Sequence, residues 1–234
     1  MPDHREIYKR HARRYDALVS REDHEGNLLR AIESARPLLG ARVVEMGAGT
    51  GRLTAMLAPR VETIHAHDSS AAMLDVARAR LEPLGLDNWW LAVADNRSLP
   101  MPSGRADLCI EGWSFGHATG WNPEGWRDDV GRMVSEMLRV LRPGGTALII
   151  ETLGTNTAEP KAPTAALADF YGMLEADGFT REVVKTDYRF ASVNEAAELT
   201  GFFFGDAFGD AVRARGEVVV PEFTGVWTKR AARG

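Results

Sequence analysis

Three glycines alternate with other residues in the run E-M-G-A-G-T-G, residues 45–51, directly after the stretch R-V-V. Gly47, Gly49 and Gly51 leave the backbone bare there, and a bare backbone offers its N–H groups to a ligand that a side chain would hold off. A phosphate-binding P-loop requires G-x-x-x-x-G-K-[ST], and no lysine lies near this run, so Walker-type binding is removed. The dinucleotide fingerprint G-x-G-x-x-G asks for a third glycine at position 52, where Arg52 stands. A second candidate, Asp68, closes the run E-T-I-H-A-H-D. A carboxylate has two acceptor oxygens and no donor, which suits the paired hydroxyls of a ribose. Dinucleotide enzymes use an acidic group in the same way, so Asp68 alone leaves the ligand open.

These residues need a frame. Short apolar runs at 41–46, 89–94, 107–111 and 146–152, with a weaker one at 62–67, read as strands buried on both faces. Helical spacing fills the intervals. Met73, Val76, Ala77 and Leu81 share one face of 70–81, while Trp126, Val130, Met133, Val134, Met137 and Leu141 form a stripe that R-P-G-G, residues 142–145, is expected to end. Further on, 164–176 and 194–204 read as helices and 181–190 and 217–229 as strands. Pro221 and Gly225 assign the last of these to an edge or a bulged hairpin. Alternating strands and helices define an α/β fold, and the glycine turn follows its first strand, where open parallel sheets bind ligands.

Composition agrees with one such unit. The 234 residues are 44% hydrophobic and carry a net charge of −5. That length supports a single core with appended elements, and the acidic balance argues against a nucleic-acid partner. The basic cluster K-R-H-A-R-R, residues 9–14, lies beside Ile7, Tyr8, His11, Tyr15 and Leu18 at helical spacing, as a solvated helix face does. One cysteine, Cys109, excludes an internal disulfide, and no multi-cysteine metal site is expected. The chain shows no leader-like segment and no apolar run long enough to span a membrane, so a soluble, cytoplasmic protein is expected.

The motifs together resemble the class I S-adenosylmethionine-dependent methyltransferases, in the small-molecule branch with the ubiquinone/menaquinone-type enzymes. E-M-G-A-G-T-G is similar to that family's first motif, A-V-A-D-N-R-S-L-P to its element after the third strand, and L-R-V-L-R-P-G-G-T to the approach to its fifth strand. The resemblance is close over about 40–152. It implies a doubly wound, Rossmann-like sheet of about seven strands, the last antiparallel, with helices on both faces. It also implies one domain, 1–234, with a helical cap at 1–35, a cofactor-binding core at 40–152 and an acceptor-shaping part at 153–234.

S-adenosyl-L-methionine is the cofactor so implied. Its expected binding residues are Tyr15, from the element H-A-R-R-Y-D, then Glu45, Gly47, Ala48, Gly49, Gly51, Asp68, Ser69, Met73, Asp95, Asn96 and Glu111. Asp95 and the Asn96 amide would serve the adenine ring. In E-G-W-S-F-G-H, residues 111–117, His117 matches the family's histidine position and is the candidate general base. Glu111 departs from the family's small or neutral residue, and Trp113 could offer a π face to a sulfonium. Methyl transfer to an aligned nucleophile requires no universal catalytic group, so a base matters only where the acceptor must lose a proton. The acceptor wall is expected from Tyr8, Tyr15, residues 117–123, Phe170 and Tyr171, which implies a small, partly apolar acceptor. Core packing is the alternative for Trp121, Trp126 and residues 202–204, and residues 202–204 read more readily as core. Two alternatives stand beside this reading: a catalytically silent cofactor-binding module, and an RNA or protein methyltransferase using residues 9–14.

Overall fold

The computed structural model describes residues 4–232; residues 1–3, where the expected cap begins, and 233–234 lie outside the described residues. The chain opens with α1 (His4–Arg10), α2 (Ala12–Val19) and α3 (Asn27–Ala35). Then β1 (Arg42–Met46), α4 (Arg52–Leu57), β2 (Thr63–Asp68), α5 (Ala71–Leu81), β3 (Trp89–Val93), β4 (Ala106–Gly112), α6 (His117–Trp121), α7 (Trp126–Val140) and β5 (Leu141–Thr155) alternate in order. The remainder is α8 (Ala165–Ala176), β6 (Thr180–Lys185), β7 (Tyr188–Arg189), α9 (Val193–Phe204), α10 (Asp206–Arg215), β8 (Val219–Val220) and β9 (Glu222–Arg230).

Seven strands form one sheet in the order β3-β2-β1-β4-β5-β9-β6, parallel from β3 to β5, with β9 antiparallel to both neighbours. Alternate residues along each strand enter opposite layers. Val43, Leu108, Ile110 and Leu148 pack with Leu28, Ile32, Leu53 and Leu57 of α3 and α4, whereas Val44, Met46, Cys109 and Ile149 pack with Trp126, Val130 and Met137 of α7 and with Phe170 and Leu174 of α8. A third cluster joins Leu18, Tyr188, Phe190, Leu199, Val212 and Val220, so α2 and the α9–α10 pair close over the β7–β8 ribbon.

Several sequence expectations are corrected. The N-terminal segment is two helices, because the chain leaves helical geometry at His11. The run 181–190 is broken into β6 and β7, which belong to different sheets. β3 is an edge strand whose Trp90 is 47% exposed, so it is not buried on both faces. α7 ends at Val140 with Leu141 as its C-cap, directly before the R-P-G-G run as expected; Leu141, expected on the helix stripe, already pairs with Ala106, and the register shift before Leu108↔Thr146 carries residues 142–145 as a bulge. β9 is internal and not an edge or hairpin arm. Pro221 falls just before β9, and a Cβ on Gly225 would lie 2.4 Å from the fully buried Trp227 ring, so that glycine clears space for the indole.

Candidate functional site

The strand order reverses between β1 and β4, and the loops leaving these two strands define a crevice. The glycine turn fits it by close approach as well as by backbone conformation. Gly47 (φ +70°) would place a Cβ 2.4 Å from the Ser114 side chain, and Gly51 (φ +75°) one 2.9 Å from the Cβ of Ala77 in α5. Gly49 (φ +54°) has only the Met73 methyl near its missing Cβ, at 3.7 Å, so it leaves open space.

A cavity of about 960 Å³ opens beyond this turn. Gly47, Gly49, Asp68, Ser69 and Met73 line it on one side, and Asp95, Asn96, Tyr15 and His117 on others. Asp68 ties two loops together: one oxygen accepts from the Gly49 N–H at 2.8 Å and the other from the Ser70 N–H at 2.8 Å. Burial raises its carboxyl above the usual range, against the pull of those two N–H groups. The Asn96 side-chain oxygen is buried with no hydrogen-bond partner. Asp95 is half-exposed, and the Arg97 guanidinium grips it at 2.6 Å and holds its carboxyl below the usual range.

Four of the expected cofactor residues stay out of this wall: Glu45, Ala48, Gly51 and Glu111. Glu45 is buried beneath the turn and accepts from the Thr54 hydroxyl at 2.7 Å. Glu111 is fully buried and accepts from the Ser114 N–H and hydroxyl and from the Phe115 N–H, at 3.1, 2.8 and 3.3 Å, so it shapes the loop after β4. Burial pushes both carboxyls up to about 8. Trp113 (φ +54°) gives one ring face to Arg52, whose guanidinium carbon lies 4.1 Å from the ring centre. That contact claims a face the sequence left for a sulfonium.

A second cavity, of about 520 Å³, adjoins the first, and Tyr8, Tyr15, Trp113 and His117 line both. His117 therefore stands at the junction. Its Nε2 lies 2.8 Å from the Tyr8 hydroxyl and its ring stacks on Trp121 at 4.7 Å. Burial, helped by His4, pulls the imidazolium down to about 4, so the ring is neutral near pH 7.

The acceptor wall differs from expectation. Phe170 and Tyr171 are core residues, 0% and 2% exposed, with the Tyr171 hydroxyl donating to the Thr152 carbonyl at 2.7 Å. Phe203 and Phe204, read as core, line the second cavity instead, because the break after α9 at Gly205 folds α10 back upon it. Trp126 is a core residue, and Trp121, from the segment 117–123 expected in the acceptor wall, is 41% exposed and lines the first cavity. Sequence reading missed Glu22, Glu151 and Glu222, which also line the second cavity. A signal existed for Glu151, an acid inside the apolar run L-I-I-E-T-L. The Lys9 to Arg14 cluster is mostly exposed, with Arg10 paired to Glu6 and Arg14 to Glu198.

Comparison with known proteins adds to this geometry. Residues 43–145 match a family model described as a methyltransferase domain. The chain is 29% identical over 175 residues to a malonyl-[acyl-carrier protein] O-methyltransferase of Methylococcus capsulatus, covering 72% of this chain and 58% of that one. It is 30% identical over 174 residues to the ubiquinone/menaquinone biosynthesis C-methyltransferase UbiE of Coxiella burnetii, covering 72% and 64%. The chain thus spans roughly three-fifths of the length of these curated relatives. The fold is shared with the YcgJ protein of Bacillus subtilis, at a TM-score of 0.60 and 17% identity over 90% of this chain and 100% of that one.

Proposed function

We propose that this chain, whose residues 43–145 match a methyltransferase domain, is a class I S-adenosylmethionine-dependent methyltransferase similar to the ubiquinone/menaquinone-type enzymes, and that it methylates a small molecule held in the second cavity. One observation carries the reading: a cavity at the strand-order reversal, walled by a bare glycine turn and the half-buried Asp68 carboxylate, shares four lining residues with a second cavity that several aromatic side chains line.

The residues fit the cofactor. Gly49 leaves backbone open to the methionine portion while Gly47 makes room for the Ser114 side chain, Asp68 has lone pairs left beyond its two loop contacts for the ribose hydroxyls, and the orphan oxygen of Asn96 is an acceptor without a donor. Asp95, half-exposed and held by Arg97, is the further adenine-side acceptor. When bound, the cofactor supplies an electrophilic methyl group on a sulfonium. The chain's own part is alignment and exclusion of water, which α1 and α2 serve by setting Tyr8 and Tyr15 over the junction. His117 is the proposed base. A neutral imidazole has an acceptor nitrogen at pH 7, and the Tyr8 hydroxyl orients it.

We treat the chain as one domain, with 40–152 holding the cofactor and 1–35 and 153–234 shaping the acceptor cavity. A cytosolic location is part of this reading, since the one cysteine, Cys109, is a buried core residue. Among the described residues no helix is long and apolar enough to cross a membrane.

Calorimetry tests the cofactor: S-adenosylmethionine and S-adenosylhomocysteine should bind and NADH should not. Labelled cofactor incubated with a metabolite extract should then give a product heavier by one methyl in mass spectrometry. NADH binding tighter than either sulfur compound would overturn the reading.

A further inference from the structure

The second cavity carries more acid than its position requires. Glu22 from the turn after α2, Glu151 from β5 and Glu222 from β9 all line it. Two cationic side chains line it as well. Arg52 is committed to Glu22 at 2.8 Å and to the Trp113 face, and Lys161 is on the exposed rim.

The carboxyls are unsatisfied. Glu222 is 1% exposed; its Oε1 accepts from the Thr152 hydroxyl at 2.7 Å, the Thr155 side chain is also near the carboxyl, and its Oε2 accepts no well-formed hydrogen bond. Glu22 gives Oε2 to Arg52, and its buried Oε1 accepts no well-formed hydrogen bond although the Tyr188 hydroxyl is near the carboxyl. Glu151 uses Oε1 on the Gly116 N–H at 2.6 Å. Buried acceptor atoms without donors are costly, and a ligand that brings donors relieves them. Phe203, Phe204, Phe208 and Leu167 line the same cavity.

Resting on the methyltransferase reading, we propose that the acceptor carries an amine, its ammonium group serving as the recognition handle for the carboxyls of Glu22, Glu151 and Glu222 and its apolar body lying against the phenylalanine side chains; were that nitrogen itself methylated, it would first pass one proton to a neighbouring carboxylate. An ammonium has three donors and no acceptor, which complements carboxyl oxygens that lack donors. The tyrosine and tryptophan faces at the junction add cation–π attraction. Burial holds all three carboxyls above the usual range, Glu222 at about 8; an ammonium would draw them back toward ionisation, an acidic acceptor would oppose it, and an apolar one would leave two oxygens unpaired. The volume suits a ligand of one or two rings.

Binding to the purified protein tests this, with S-adenosylhomocysteine present and absent. The probes are 2-phenylethylamine and tryptamine, set against 2-phenylethanol, 3-phenylpropionate and indole-3-propionate. The amines should bind about 10-fold or more tightly than the alcohol, and the acids should not bind. Glu222→Gln and Glu151→Gln should each weaken amine binding about 10-fold and leave 2-phenylethanol and S-adenosylhomocysteine binding unchanged; the latter also certifies folding. Acids or alcohol binding as well as the amines, no amine binding, or an amine preference untouched by both substitutions would overturn the assignment. Failure to bind S-adenosylhomocysteine would instead overturn the methyltransferase reading beneath it.

Discussion

Asp68 shows how one side chain serves two ends. Its carboxylate fastens the glycine turn through Gly49 and caps the approach to α5 through Ser70, and it lines the first cavity. Asp68→Ala should weaken S-adenosylhomocysteine binding about 10- to 100-fold, which is about 1.4–2.8 kcal/mol. Titration calorimetry of both proteins checks this, and equal affinities would remove Asp68 from the site. The loop contacts add a consequence that a free carboxylate would not have: the variant should also lose some thermal stability. Glu45 behaves differently, having a folded-state value near 8 against about 4.3 in an unfolded chain. Between those values the folded state keeps a proton that the unfolded state has released, so this group makes stability fall as pH rises. Glu45→Gln retains an acceptor for Thr54 and removes the titration. Its Tm should decline less than that of the wild type from pH 5 to 8; parallel declines would place the slope elsewhere.

At the scale of elements, Gly51 lets the start of α4 approach Ala77 of α5 closely. With φ +75° and Ala77 in the way of a Cβ, Gly51→Ala meets both backbone strain and a backbone contact that cannot yield cheaply. A loss of about 2 kcal/mol or more is expected, or roughly 4–8 °C in Tm for a chain of this size. Gly131 is the control. It lies within α7 with nothing within 4 Å of its missing Cβ, so Gly131→Ala should raise stability by about 0.5–1 kcal/mol. Scanning calorimetry of the pair separates the two effects, and a neutral Gly51→Ala would refute the packing argument.

For the whole molecule, the end of the sheet opposite the site is fastened by Asp107. Its carboxylate accepts from the Arg42 N–H at 2.9 Å and from the Arg36 and Arg42 guanidinium groups at 3.3 and 3.2 Å, and also pairs with Arg142, so α3, β1, β4 and β5 converge on one group. Burial opposes its ionisation, yet these donors together hold the carboxyl below its usual range. A depressed folded value means stability that is present above about pH 3.9 and is lost as pH falls through the folded value. Asp107→Asn should cost about 1–3 kcal/mol at pH 7 and lose less further stability on acidification than the wild type. Denaturant titrations at pH 7 and 3 check both signs. What the sequence by itself determined is local: the glycine run, Asp68 at the end of its strand, and the alternation of strands and helices, because backbone conformation, strand-end position and hydrophobic period are written in neighbouring residues. Tertiary structure alone decided which aromatics face the ligand. Phe170 and Phe203 look alike in sequence, and one enters the core while the other enters the cavity wall, since that depends on where α8 and α9 dock. The gathering of Glu22, Glu151 and Glu222 has the same origin: residues up to 200 positions apart share a cavity only because β9 inserts beside β5 and the N-terminal helices fold across both.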